Sequence, residues 1–200
     1  MISCIILAAG SSQRFGSPKA LAQILRQTTE TAIERLQQTC LNSKIDEIII
    51  VLGDHRTDIE PFVLKHPRIK TAINNEFARG QTSSFQVGLK MISSGAQGIM
   101  LFPVDTPIVK AQTINVLIEH FRKEIPQILI PMYQNKKGHP PIFHSKLKND
   151  LLKLPDSIGL NEFQSARQSE ISYVSVDDPG ILRGFNTPEE LEQIKKFHGS

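Results

Sequence analysis

Tryptophan is absent from this sequence and tyrosine occurs only twice, so aromatic residues make up 6% of its 200 positions. The cations exceed the anions by a formal charge of +3 and are scattered rather than gathered into a basic run. Nucleic-acid surfaces combine clustered cations with aromatic stacking, so nucleic acid is not the partner this composition points to. Two cysteines are present, Cys4 and Cys40, without metal-ligand spacing, and they read as buried free thiols in a reducing, cytoplasmic compartment. No apolar run is long enough to cross a bilayer. The apolar start, Met1 to Gly10, lacks a basic leader and reads as a first core strand, so no membrane is expected. Repeats, low-complexity tracts and interdomain linkers are missing too, and residues 1–200 read as a single domain.

What is present is a sheet buried on both faces. Ile2 to Leu7, Ile48 to Leu52, Ile99 to Phe102 and Ile128 to Met132 are continuously apolar, as strands of a parallel sheet covered by helices must be. Helical spacing lies between them. Ala32, Ile33, Leu36 and Cys40 share one face of a helix over 29–40. Ile114, Leu117, Ile118 and Phe121 share a face over 113–123, with Thr113 read as its N-cap. A weaker helix is expected after Thr57 and another over 83–92. This alternation predicts an α/β fold, doubly wound, with a mostly parallel sheet and helices on both faces. After Met132 a polar turn over 135–138 leads into a short extended piece at His139 to Phe143, where two prolines exclude a helix. Helices over 146–153 and after Ile158, and a strand over 172–176, follow. Thr187-Pro188-Glu189-Glu190 is a capping box that starts the last helix.

The chemistry concentrates in Leu7 to Ala20, LAAGSSQRFGSPKA. Directly after the first strand, Gly10, Ser11, Ser12, Gly16 and Ser17 surround two cations, Arg14 and Lys19. Small residues let backbone N–H groups approach a phosphate, Arg adds a fork of donors, and Lys adds a mobile charge. The spacing fits neither a Walker A loop nor the dinucleotide fingerprint. Ligands of open α/β sheets bind at the carboxyl ends of the strands. Asp105 falls there, after GIMLFPV, as either a hard-cation ligand or a turn aspartate before Thr106-Pro107. The Gly80-Gln81-Thr82-Ser83-Ser84 turn falls there as well, offering hydroxyls and a helix start.

The loop resembles the signature L-A-[AG]-G-x-[SG]-x-R-[MF]-G-x-x-K of the MobA-like nucleotidyltransferases, and within them the MocA-type molybdenum cofactor cytidylyltransferases. FPVDTP resembles the L-x-x-D-x-P motif, RGQTSSFQVG the G-x-x-x-S-[LF]-x-x-G segment, and KKGHPPIF the G-H-P-[VI]-x-F segment of the same proteins. VDDPGILRGFNTPEEL resembles their V-x-D-P-G-x-x-x-D-[ILF]-[DN]-T-P-[ED]-[DE]-L ending. It departs from it in two places: Gly184 stands where an aspartate is common, and Asn186 where MocA-type proteins usually carry Asp.

The resemblance implies a Rossmann-like nucleotidyltransferase fold and transfer of a nucleoside monophosphate from a triphosphate, expected to be CTP, to a phosphorylated acceptor of molybdopterin type. It implies catalytic roles for Lys19, Arg14 and Asp105. The nucleotide would lie against Leu7, Ala8, Ala9, Gly10, Ser11, Ser12, Arg14, Lys19, Gly80, Gln81, Ser83 and Ser84. Gly138 and His139 would face the acceptor, and Asp105 with Asn186 would hold Mg²⁺. A molybdoenzyme is implied as a transient partner. Three alternatives stay open at this point: GTP as donor, a sugar-phosphate or isoprenoid-precursor acceptor, or a nucleotide-binding protein without catalysis.

Overall fold

The structure is a computed structural model that describes residues 1–198, so the last two positions of the expected 1–200 unit lie outside the described residues. In chain order the elements are β1 (Ile2–Ala8), α1 (Ala32–Leu41), β2 (Glu47–Leu52), a one-turn α2 (Arg56–Ile59), β3 (Ile69–Ile73), α3 (Gln81–Met91) and β4 (Gly98–Pro103). Then come α4 (Ala111–Glu124), β5 (Ile128–Tyr133), β6 (Lys136–Lys137), β7 (Ile142–His144), α5 (Lys148–Leu152), α6 (Leu160–Ser165), β8 (Ile171–Ser175) and α7 (Pro188–His198). They form one eight-stranded sheet in the order β3-β2-β1-β4-β7-β5-β6, with β8 on the other side of β5. β1 to β4 pair in parallel, as does β8 with β5, whereas β7 is antiparallel to both of its neighbours. The fold is the expected doubly wound α/β sandwich.

β1 shows why the apolar runs are continuous. All seven of its residues are buried, and alternate side chains point to opposite faces. Ile2, Cys4, Ile6 and Ala8 join Ile33, Leu36, Leu117 and Ile118 of α1 and α4 on one face. Ile5 and Leu7 join Phe85 and Leu89 of α3 on the other, continued by Leu151, Leu160 and Phe163 of α5 and α6. Cys4 and Cys40 meet within the first layer with their sulfurs 3.9 Å apart, both fully buried and free. Burial and the neighbouring Cys40 sulfur hold the Cys4 thiol well above its ordinary pKa.

Several expected boundaries move. β3 carries exposed Lys70 and Thr71 on the sheet edge, and this polar content hides it from an apolar-run reading. α1 begins at Ala32, because Thr31 rather than an earlier threonine forms a capping box with Glu34. α4 begins at Ala111, so Thr113 lies inside the helix, and its hydroxyl donates to buried Asp178 (2.6 Å) instead of capping. The polar turn after β5 is confined to Gln134 and Asn135, both at positive φ, while Lys136 and Lys137 pair with the end of β5. α7 starts with the expected capping box: the Glu190 carboxylate accepts from Thr187 N–H and Thr187 Oγ1 accepts from Glu190 N–H. No helix among the described residues is long and apolar enough to cross a membrane.

The parallel register aligns strand ends. Ala8 pairs with Leu52 and Leu7 with Pro103, so the chain leaves β1, β2 and β4 along one edge of the sheet.

Candidate active site

A cavity of about 760 Å³ opens along that edge, within the size range of small-molecule sites. The loop after β1 forms one wall. Its Ser12 adopts φ +52° and its carbonyl accepts from Phe15 N–H and Gly16 N–H, closing a tight turn. Ser12 Oγ accepts from Lys19 N–H at 3.1 Å, which fixes where Lys19 leaves the turn. Ser11 O lies 3.2 Å from His55 Nε2, and Ala9 O accepts from Asp54 N–H at 3.2 Å, so the turn after β2 braces the loop from the side. Gly53 makes that contact possible, because a Cβ there would come within 2.4 Å of Ala9 O.

A ring pair brings the end of the chain to this wall. Phe15 of the loop packs on fully buried Phe185, with centroids 5.3 Å apart. Phe185 N–H donates to Asp105 O at 3.0 Å. The segment 184–186 is thereby held between the loop and the turn after β4. Gly184 fits the space: a Cβ there would sit 3.3 Å from Thr106 Cγ2 and 3.4 Å from Asp105 O, close to the limit of ordinary contact.

The next residue completes a polar cluster at the cavity mouth. Lys19 Nζ donates to Asp105 Oδ2 at 3.0 Å and to Asn186 Oδ1 at 2.9 Å. Arg14 Nη2 donates to the same Asn186 oxygen at 3.1 Å. The Lys19 and Asp105 side chains keep 14% and 29% exposure, so the pair is shielded but reachable. Asn186 is fixed from behind, since its backbone N–H donates to the Glu190 carboxylate of α7. Residues 172 positions apart in sequence, Arg14 and Asn186, thus touch.

The opposite wall comes from the start of α3. Gly80 takes φ +99° to turn the chain into the helix. Gly80, Gln81 and Ser84 line the cavity, with Phe77 and Ala78 just before them. The hydroxyls of this turn are spent on the fold. Thr82 Oγ1 donates to Ile158 O, Ser83 Oγ donates to Gly80 O, and both Ser83 and Ser84 accept from Asn74 Nδ2. Gln81 is exposed at the same place.

Of the residues singled out in the sequence, Leu7, Ala8, Ala9, Gly10, Ser11, Ser12, Arg14, Lys19, Gly80, Gln81, Ser84 and Asp105 all line the cavity. Asn186 joins through its bonds to Lys19 and Arg14. Ser83 does not line it, because its hydroxyl is held inside by Asn74 and Gly80. Gly138 is packed against Ile181, where a Cβ would meet Ile181 O at 2.5 Å. His139 lies outside the cavity wall but within electrostatic reach of Asp105. Burial pushes its imidazole pKa down, and the Asp105 carboxylate opposes that. His139 Nδ1 is buried without a hydrogen-bond partner.

Asp54, Phe77 and Ala78 also line the cavity and carry no motif in the sequence. The signal for Asp54 was its place directly after a buried strand, the same position that marks Asp105. No group of three or more His, Cys, Asp or Glu side chains that could hold a metal occurs among the described residues. Asp105 Oδ2 and Asn186 Oδ1 nevertheless converge on one cationic atom, the Lys19 ammonium. Two hard oxygen donors facing one position fit a Mg²⁺- or Mn²⁺-like ion that takes its other ligands from phosphates and water.

A doubly wound sheet thus carries a Gly/Ser-rich loop, two cations and a carboxylate at its strand ends, the arrangement expected of a nucleotidyltransferase. The chain belongs to the MobA-like NTP transferase domain family, whose description matches residues 4–171; it is a nucleotidyltransferase of MobA type. It is 29% identical to the "Probable molybdenum cofactor guanylyltransferase" of Natranaerobius thermophilus, over 99% of this chain and 97% of that protein. Among solved structures it superposes on Rv0371c of Mycobacterium tuberculosis H37Rv with a TM-score of 0.82 at 21% identity, covering 98% and 97% of the two chains. The Rv0371c complex with manganese gives 0.79 at 20% identity and 98% coverage of each chain.

Proposed function

We propose that the protein transfers a cytidylyl group from CTP to a phosphorylated acceptor of molybdopterin type and releases pyrophosphate. The observation that carries the transfer chemistry in this reading is the convergence of Lys19, Arg14, Asp105 and Asn186 at the mouth of the cavity. An acceptor phosphate oxygen attacks the α-phosphorus, the bond from the α-phosphorus to the bridging oxygen breaks, and pyrophosphate carries away the electron pair. The nucleophile is already an anion, so no general base is needed. Catalysis is then positioning and charge neutralisation.

In this reading Lys19 serves the α-phosphate, while Arg14 and the backbone N–H groups of Gly10 to Ser12 serve the outer phosphates. Asp105 and Asn186 would hold the divalent ion. When bound, such an ion supplies Lewis-acid polarisation and a template for the leaving phosphates. The manganese found with Rv0371c supports a divalent ion without choosing between Mg²⁺ and Mn²⁺. In this reading His139, whose buried Nδ1 has no protein partner and which feels the Asp105 carboxylate, would serve the acceptor.

In this reading the donor base lies beside Ala9 and Phe77, which both line the cavity. The Ala9 methyl is buried at the cavity wall and takes up space that a glycine at this position would leave open, which supports the smaller pyrimidine base. GTP is the second reading, favoured by the guanylyltransferase names of the Natranaerobius relative and of the Bacillus and Geobacillus relatives alike. The test is pyrophosphate release from CTP and from GTP, each with molybdopterin-type acceptor and Mg²⁺ or Mn²⁺. Faster release from CTP is expected. Faster release from GTP overturns the donor assignment, and no release from either overturns the catalytic reading.

A further inference from the structure

We propose that Lys19 is a latch on the metal ligands: in the nucleotide-free site its ammonium occupies the two oxygens that a divalent ion needs, so ion and triphosphate enter together. This rests on the reading above that Asp105 and Asn186 hold the ion and Lys19 a phosphate.

The geometry is specific. One ammonium bonds both Asp105 Oδ2 and Asn186 Oδ1, at 3.0 and 2.9 Å. The Arg14 guanidinium adds a second cation to the same Asn186 oxygen at 3.1 Å. A dication approaching these oxygens alone meets one charge that is 14% exposed and another at the rim. At such distances in a partly shielded site like charges repel strongly. It can take the oxygens only if Lys19 gives up both of its protein acceptors, with nothing anionic offered in return.

A triphosphate changes that balance. Its oxygens give Lys19 and Arg14 new acceptors, and Asp105 and Asn186 are released to the ion. Each charged group then exchanges one opposite partner for another. Nothing in the scaffold has to move far. The Lys19 backbone stays tied to Ser12 Oγ and Asn186 stays tied to Glu190, so only the two long cationic side chains swing. Linkage makes the effect mutual: whatever factor the nucleotide adds to ion affinity, the ion adds to nucleotide affinity. The ammonium that binds phosphate in the loaded site is therefore also what keeps a lone ion out of the empty one.

The test uses Mn²⁺ alone as probe, read as loss of the free-ion electron paramagnetic resonance signal, on the whole nucleotide-free protein. Lys19→Met removes the charge while keeping the stem, and it is expected to bind Mn²⁺ on the order of tenfold more tightly than the parent, within the ordinary range of coupling between two ligands. Lys19→Ala should shift in the same direction, and Lys19→Arg, which keeps the charge, should show no gain. Lys19→Met/Asp105→Asn should lose what Lys19→Met gains. Circular dichroism checks that each variant is folded. If Lys19→Met and Lys19→Ala bind no tighter than the parent while Asp105→Asn loses binding, the latch is wrong and the metal reading stands. If Asp105→Asn also leaves binding unchanged, both fall.

Discussion

The two ends of the parallel part of the sheet each hold a carboxylate facing a lysine, and the two are built for different purposes. At the amino end of β2, Glu47 is 4% exposed and accepts from Ser3 Oγ, Lys70 Nζ, Ser93 N–H and Ser93 Oγ, at 2.7 to 3.0 Å. At the carboxyl end of β4, the Asp105 carboxylate has one hydrogen-bond partner among the described residues, Lys19, and stays partly open. Burial alone would raise the Glu47 pKa. The hydrogen bonds from Lys70, Ser93 and Ser3 outweigh it and bring the pKa to about 2. A saturated carboxylate is a fastener, because nothing is left for a ligand to satisfy. An undersaturated one, beside two cations with few other acceptors, is a place where a ligand can change the pairing.

The comparison breaks most severely at Asp105. Asp105→Ala should remove transfer by roughly 10³-fold or more while leaving the melting temperature close to the parent's, as steady-state pyrophosphate release and thermal melts would show together. Lys19→Ala should follow, at about 10²–10³-fold in turnover, the cost of one donor aimed at developing charge. An unfolded variant, or one with parental turnover, sinks the assignment.

Glu47→Gln tests the other end and should do the opposite, sparing transfer and weakening the fold. The folded pKa of about 2 lies below the ordinary 4.5, so this carboxylate stabilises fully above pH 4.5 and the gain is lost as pH falls toward 2. The shift corresponds to on the order of 3 kcal/mol. Denaturant melts between those pH values should slope in the parent and flatten in Glu47→Gln. Identical slopes would show that Glu47 does not act as the fastener.

Smaller effects are expected where the site is tuned. Asn186→Ala should raise the Mg²⁺ concentration for half-maximal rate roughly tenfold, the scale at which neighbouring groups tune a metal site. Asn186→Asp should lower it, and two variants that both match the parent curve would leave Asp105 as the sole protein ligand. Thr187→Ala is the mildest, at about 1 kcal/mol of stability from the lost cap. Because Glu190 also holds the Asn186 backbone, a slight rise in Mg²⁺ requirement should accompany the lower melting temperature.

The parts of the site legible in the sequence were those whose chemistry is local. The loop from Leu7 to Lys19 carries its small residues and cations within one short stretch, and Asp105 follows directly on a buried run. Asp54 shares with Asp105 a place directly after a buried strand, whereas Phe77 was not legible as a wall residue. It reaches the cavity because β3 lies beside β2 and β2 beside β1, and no spacing within the sequence encodes that adjacency. The hydroxyls of Thr82 and Ser83 looked available for the same reason in reverse: their partners, Ile158 and Asn74, lie on other elements. In the fold, the continuous apolar strands declared themselves, while the edge strand β3 did not, since an edge position leaves Lys70 and Thr71 in solvent. Thr113 shows the limit of reading caps from residue type, because buried Asp178, 65 positions away, claims its hydroxyl.

The Phe15–Phe185 contact sets an order of events during synthesis. The loop and Asp105 leave the ribosome early, yet the ring that seats Phe15, and the amide that meets Lys19 and Arg14, are made near the end. A nascent or prematurely terminated chain that stops before Phe185 holds the residues of all eight strands but lacks Phe185 and Asn186, and with them the completed cluster. Completion of the Lys19, Arg14, Asp105 and Asn186 cluster is thus tied to the last part of the chain to be made.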